Sequence, residues 1–180
     1  MPRLLFFTDP IRTPDPEAIA RTLPRGAAIV FRAFGAADAP ARGLRLHAIA
    51  REQGLKLLVG ADETLARAIG AHGVHLPERL AHRARRLKAT NSGWIVTAAA
   101  HSSLAARRGL AAGADAVVVS AVFASDSPTA GPAIGPVRLA LLVRAVGGPV
   151  YGLGGVNNKT ARLLKETGLV GLAAVGAFRT

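Results

Sequence analysis

An α/β fold of the closed (β/α)8 kind is what this sequence predicts, and three observations predict it. Short apolar runs alternate with Ala/Leu/Arg segments of helical period about eight times along the chain. Most of those runs are continuously apolar, so the strands are covered on both faces, as parallel strands are. The stop-then-strand pattern recurs in Gly70-Ala71-His72-Gly73-Val74, Gly113-Ala114-Asp115-Ala116-Val117 and Gly168-Leu169-Val170-Gly171-Leu172. Eight such units are the number of a TIM barrel, reached within 180 residues by short loops and a truncated last helix. An open doubly wound sheet is the competing architecture; it lacks support because no phosphate-binding turn follows the first strand.

The predicted strands run from Arg3 to Thr8, Ala27 to Arg32, Lys56 to Val59, Gly73 to Leu76, Trp94 to Ala98, Ala116 to Val122, Pro149 to Leu153 and Val170 to Val175. Between them, Asp15-Pro16-Glu17 supplies a cap, a first-turn proline and an early carboxylate. Asp62 and Glu63 open a helix whose buried face is Leu65, Ala68 and Ile69. Ser102 caps a helix from Ser103 to Ala112, which Gly113 ends. Pro136 opens another, with Val137, Ala140 and Leu141 as its inward stripe. No linker, charge block or low-complexity tract divides the chain, so residues 1–180 are read as one domain.

Composition removes several classes of function. Half the residues are hydrophobic and only 4% are aromatic, so the core is built from Ala, Val, Leu and Ile rather than left disordered. The absence of cysteine excludes disulfides, thiolate metal centres and a cysteine nucleophile. The apolar start is too short for a secretion signal and no stretch is long enough for a bilayer span, so a cytoplasmic location is expected, with no membrane partner. Twenty-three basic against eleven acidic residues give +12. Without aromatic interleaving or a recognised module that excess does not predict nucleic acid binding. It matches solvated arginines such as Arg67, Arg83, Arg85, Arg86, Arg107 and Arg108.

The chemistry-bearing positions cluster at predicted strand ends. Pro149 to Val156 ends in Gly154-Gly155, and the last strand ends in Val175-Gly176. Glycines there let backbone N–H groups approach a phosphate, and turns after the seventh and eighth barrel strands are a common phosphate site. The bland alternative is a pair of tight turns that need small residues. His101 follows the fifth strand and precedes the Ser102 cap, on the rim where acid–base residues gather. Arg32 emerges from the second strand as a cation suited to a carboxylate or phosphate, or simply as a surface arginine. Ser125 and Ser127, in the loop after the sixth strand, offer hydroxyls to a ligand or to their own turns. His75 reads as a structural residue inside the barrel. No grouping of His, Asp and Glu has metal-ligand spacing, so no metal is predicted.

Taken in order, Leu5-Phe6-Phe7-Thr8-Asp9, Ile29-Val30-Phe31-Arg32, Gly73-Val74-His75-Leu76, His101-Ser102, Val119 to Ser125, Pro149 to Val156 and Ala173 to Ala177 resemble the thiamine-phosphate synthase and TenI superfamily. The resemblance spans nearly the whole chain and implies a (β/α)8 barrel, for which homodimers are common. It implies a small phosphorylated heterocycle, of the thiazole phosphate type, as ligand. The chain departs from the synthase pattern at several positions. The Gln-Leu-Arg-Glu-Lys-like run becomes Val30-Phe31-Arg32-Ala33-Phe34, an Asn-Asp pair becomes Gly60-Ala61, the acidic residue after the fourth strand is replaced within Leu76-Pro77-Glu78-Arg79, and the lysine of the sixth loop becomes Pro128. Leu76-Pro77 and His101 instead resemble TenI-type thiazole tautomerases, with His101 as acid–base group, Gly154, Gly155, Val175 and Gly176 at the phosphate, and Arg32 at the carboxylate. The reading is therefore a TenI-like isomerase without cofactor. The alternatives are a divergent thiamine-phosphate synthase, a transferase that would use Mg²⁺, and a non-catalytic phosphate-ligand sensor or partner protein.

Overall fold

The computed structural model describes residues 1–125 and 131–176. Eight parallel strands close into one barrel in chain order: β1 (Leu4–Phe7), β2 (Ala28–Phe31), β3 (Lys56–Gly60), β4 (Gly73–Leu76), β5 (Ile95–Ala100), β6 (Ala116–Val119), β7 (Val150–Leu153) and β8 (Gly171–Ala174). All eight predicted strands are present: β1, β2 and β8 are one residue shorter at each end and β7 at its start, β4 matches, and β3 and β5 run one and two residues further at their C-terminal ends. β6 is shortened most: Ser120 to Val122 already belong to the loop.

The helices outside are α1 (Pro16–Thr22), α2 (Ala39–Gln53), α3 (Glu63–Ala68), α4 (Ala84–Thr90), α5 (Ser103–Ala111) and α6 (Gly135–Val146). Asp15, Asp62 and Ser102 each accept a hydrogen bond from a backbone N–H three residues on, as their capping positions predict. Between β7 and β8 the chain makes only a 3₁₀ stretch, Thr160–Leu164, where a full helix would stand in a longer barrel. The predicted shortness of the eighth helix falls on residues outside the described ones.

Two predicted helix faces are corrected. In α3 the buried partners of Leu65 are Ala66 and the capping Ile69, while Ala68 points to solvent. In α6 the inward residues are Leu139 and Val143, while Val137 and Leu141 are 76% and 60% exposed. Both stripes repeat at helical spacing, so periodicity alone does not say which one meets the sheet.

Parity along the strands divides the core. Leu5, Phe7, Ala28, Val30, Leu58, Ala116, Val118, Tyr151 and Ala173 point inward and pack into one cluster inside the barrel. The alternate residues, among them Phe6, Ile29, Phe31, Val59 and Val117, join the helices in two further clusters. Closure is at the β1–β8 seam, where Leu4, Leu5 and Phe6 pair with Leu172, Ala173 and Ala174. The Tyr151 hydroxyl donates to the Pro2 carbonyl beneath that seam. A Cβ on Gly171 would lie 2.5 Å from the Arg3 carbonyl oxygen and 2.6 Å from the Tyr151 ring. The seam therefore tolerates no side chain at that position. Gly171→Ala is expected to destabilise the protein by about 1–3 kcal/mol, read as a lower urea midpoint with unchanged m-value; a midpoint equal to wild type would contradict the seam's tightness.

Candidate active site

The C-terminal ends of the strands form a mouth whose polar groups come from six of the eight strand ends. After β1, Asp9 sits in a tight turn. Its carboxylate accepts from the Ile11 and Arg12 backbone N–H groups at 3.1 and 2.9 Å and from the Arg12 guanidinium at 2.9 Å. Burial pushes the Asp9 carboxyl upward, but the bonds from Arg12 outweigh it and hold the value at about 2. Arg32, one residue past β2, donates Nε to the Thr8 carbonyl at 2.7 Å and Nη2 to Asp9 at 3.1 Å. The Thr8 hydroxyl accepts the Arg32 backbone N–H at 2.9 Å. Much of the fork predicted for a ligand is thus already committed to tying β1 to β2.

His75, from β4, is buried inside the mouth. Its Nδ1 shares a 2.9 Å hydrogen bond with the Thr97 hydroxyl of β5, and its ring meets Phe7 edge-on at 4.9 Å. Burial, with the nearby Arg32 charge, pushes its pKa down to about 3. It is a neutral structural side chain, as expected.

His101 is exposed at the end of β5. Its backbone N–H donates to Glu78 at 2.8 Å, and its Nδ1 lies 3.4 Å from both the carbonyl and the hydroxyl of Ser120, just past β6. The Ser102 cap directly behind it starts α5. Glu78 is a mouth residue that sequence reasoning passed over. It stands two residues beyond β4, in a segment read only for what it lacked, and its spacing to His101 carries no motif.

The glycine turn follows β7. Gly154 and Gly155 have φ of +103° and +62°. A Cβ on Gly155 would lie 2.4 Å from the Ala124 carbonyl oxygen. Their carbonyls are used: Gly154 accepts from Phe123 N–H at 3.0 Å and Gly155 from the Thr160 hydroxyl at 2.8 Å. Their own N–H groups donate to nothing among the described residues. Leu153 pairs with Ala173, so Val175 and Gly176 stand at the neighbouring strand end. The loop after β6 joins the two regions: Ser120 faces His101, and the next residue, Ala121, lies against Gly154. Imidazole and glycine turn are therefore separated by a single strand. Ser125 lies in the same loop, and Ser127 lies outside the described residues.

Residues 4–178 match the family model for thiamine monophosphate synthase. The chain belongs to that family. Among relatives of the thiamine monophosphate synthase family, the thiamine-phosphate synthase of Ruminiclostridium cellulolyticum is 29% identical over 165 residues, covering 90% of this chain and 79% of the relative. That of a Roseiflexus species is 35% identical over 148 residues, covering 78% of this chain but only 62% of the relative. The solved thiamine phosphate pyrophosphorylase from Pyrococcus furiosus superposes with a TM-score of 0.82 at 27% identity, over 97% of this chain and 86% of that one. Relatives of this kind favour the transferase reading of the chain over the isomerase one, which was the first expectation.

The magnesium that the synthase reading implies finds little here. No group of three or more His, Asp or Glu side chains able to hold a metal occurs among the described residues. Asp9 is engaged by two arginines, and Glu78 stands across the mouth from it with one oxygen on the His101 N–H. Among the described residues these donors do not fit a protein-held Mg²⁺. Among the described residues, no helix is long and apolar enough to cross a membrane.

The Asp9 turn gives a pH signature. Its folded value lies below the usual 3.8, so its contribution to stability is complete above about pH 4 and is lost as pH falls toward 2. Asp9→Asn is expected to lower Tm at pH 7 and to flatten the Tm profile between pH 4 and 2. A variant as acid-sensitive as wild type in that window would contradict the assignment.

Proposed function

We propose that the chain is an enzyme of thiamine biosynthesis that seats a thiazole phosphate on the glycine turns after β7 and β8 and joins it to a pyrimidine methyl pyrophosphate. The carrying observation is the pair of unused N–H groups at Gly154 and Gly155, held where a Cβ would collide with Ala124. Unpaired amides on a positive-φ turn bind a phosphate oxygen closely. The names of the relatives support the joining reaction. In it the carbon–oxygen bond to pyrophosphate breaks, a bond from that carbon to the thiazole nitrogen forms, and pyrophosphate leaves. Val175 and Gly176 complete the phosphate turn, Arg32 faces the pyrophosphate side, and Ser125 lies on the loop between them. The reaction is expected to be tuned by backbone amides and arginine rather than by a carboxylate cluster.

A second reading rests on His101. Its ring is exposed at the mouth, is oriented from Nδ1 by Ser120, and stands one strand from the same phosphate turn. That geometry supports proton relocation on a thiazole phosphate carboxylate, the tautomerase reaction, for which one placed acid–base group is worth about 10²–10⁴-fold.

One pair of assays separates the two. Purified protein given pyrimidine pyrophosphate and thiazole phosphate is expected to form thiamine phosphate, and His101→Ala is expected to keep most of that activity. Isomerisation of thiazole phosphate carboxylate, lost by about 10²–10⁴-fold in His101→Ala with binding retained, would replace the first reading with the second. Binding with neither product would leave a phosphate-ligand sensor.

A further inference from the structure

Two of the three stop-then-strand repeats carry a polar side chain at the same position, one residue before the strand, and both use it in the same way. His72 precedes β4. Its backbone N–H donates to the Leu57 carbonyl at 2.7 Å, and its Nδ1 accepts the Leu57 N–H at 3.1 Å. Asp115 precedes β6. Its N–H donates to the Val96 carbonyl at 2.7 Å, and its Oδ2 accepts the Val96 N–H at 2.8 Å. Each side chain closes a reciprocal two-bond link at the base of the barrel, opposite the mouth. One link extends the β3–β4 pairing a residue below Leu58 and Gly73, the other the β5–β6 pairing a residue below Thr97 and Ala116. The His72 carbonyl also accepts the Ile95 N–H at 2.9 Å, so this residue joins three strands.

Acid acts differently on the two links. A carboxylate remains an acceptor down to about pH 4, whereas an imidazole nitrogen accepts only while it is unprotonated, down to about pH 6.5 for a free side chain. The surroundings of His72 oppose the charged form. The His47 ring of α2 stacks on it, with centroids 5.8 Å apart and planes 12° from parallel. His47 Nδ1 is buried and has no hydrogen-bond partner among the described residues, so a proton placed there would find no acceptor. Lys56, at the start of β3, adds a like charge. Among the described residues no carboxylate pairs with either ring; Glu52 of α2 pairs with Arg21 instead, and Arg67 at the end of α3 lies over Trp94. Burial first, then Lys56 and His47, lower the His72 pKa from the ordinary 6.5.

We infer that His72 is an acid-sensitive latch: on protonation it releases the Leu57 N–H, and β3 and β4 loosen at the base of the barrel while the Asp115 link still holds β5 to β6. The folded form binds this proton less readily than the free side chain. The latch is therefore complete above about pH 6.5 and weakens as pH falls below it. It stands at the far end of the strands from the mouth and rests on neither reading of the reaction.

Native-state amide hydrogen exchange of the full chain, from about pH 7.5 to about pH 5, tests this with Val96 as internal reference. Leu57 protection is expected to fall relative to Val96 by up to about tenfold per pH unit below about pH 6.5. His72→Asn keeps an acceptor but does not titrate, so it should hold the Leu57 protection level across the range. His47→Phe should retain the fall, which places the titration at residue 72. Imidazole nitrogen NMR of the wild-type chain is an independent check: neutral His72 is expected to carry its proton on Nε2, because Nδ1 accepts the Leu57 N–H. Leu57 protection that follows Val96 throughout, an undiminished fall in His72→Asn, a fall abolished by His47→Phe, or a neutral His72 with its proton on Nδ1 would each overturn the latch. Thiamine phosphate formation, or its failure, would not bear on it.

Discussion

Closure of the barrel at the β1–β8 seam is the constraint on which the rest depends. A parallel sheet of eight short strands has no free edge only if its first and last strands meet, and here they meet over three residue pairs. Gly171 lets the Arg3 backbone come close enough, and the Tyr151 hydroxyl fixes the chain start by holding the Pro2 carbonyl. Burial pushes the Tyr151 pKa to about 12, so it remains a hydroxyl donor across the physiological range. Once the seam is set, strand parity decides which side chains face the barrel axis and which face the helices. The positions of Arg32, His75, Ser120 and the glycine turn all follow from that parity.

At the mouth, most polar groups are satisfied by one another before any ligand arrives. Arg32, Asp9, Arg12 and Thr8 form one network that joins the first two strand ends, and His75 with Thr97 forms another across the fourth and fifth. Such networks position a rim without leaving unpaired charge in a low-dielectric setting. What they leave unspent is informative. Among the described residues the Gly154 and Gly155 amides, the Arg42 guanidinium and the Thr8 hydroxyl proton are hydrogen-bond donors without a partner. Spare donors on a strand-end turn favour an oxyanion there, whatever reaction follows.

The fold was legible because its signals are local and repeated. Continuous apolar runs, three capping side chains and helix-ending glycines each act within a few residues, and they recur often enough to count units. The α6 face was not legible because two apolar stripes coexist on one helix. In the site, the glycine turn and His101 were readable as positions on a rim. The commitment of Arg32 to Asp9 was not, since it depends on a turn that brings residues 23 apart in sequence into contact. Glu78 and Arg42 were missed for the same reason: each sits one loop or one helical turn beyond a strand, where only three-dimensional packing reveals its direction.

Reaction type is decided on the opposite side of the mouth from the phosphate turn. Both joining and isomerisation need a thiazole phosphate held by backbone amides, so the glycine turn does not distinguish them. They differ in what must be stabilised next. Isomerisation moves a proton and asks for one imidazole of suitable orientation. Joining releases a polyanion and asks for several fixed positive donors near β2 and β3. The chain has Gly60-Ala61 at the end of β3 and Phe34 beyond β2, which supply none. It has arginines at 12 and 32 whose charge is offset by a single carboxylate, so the net field on that side is positive. A departing pyrophosphate would meet that field, and whether two arginines partly offset by Asp9 suffice to stabilise it is what separates joining from isomerisation on this barrel.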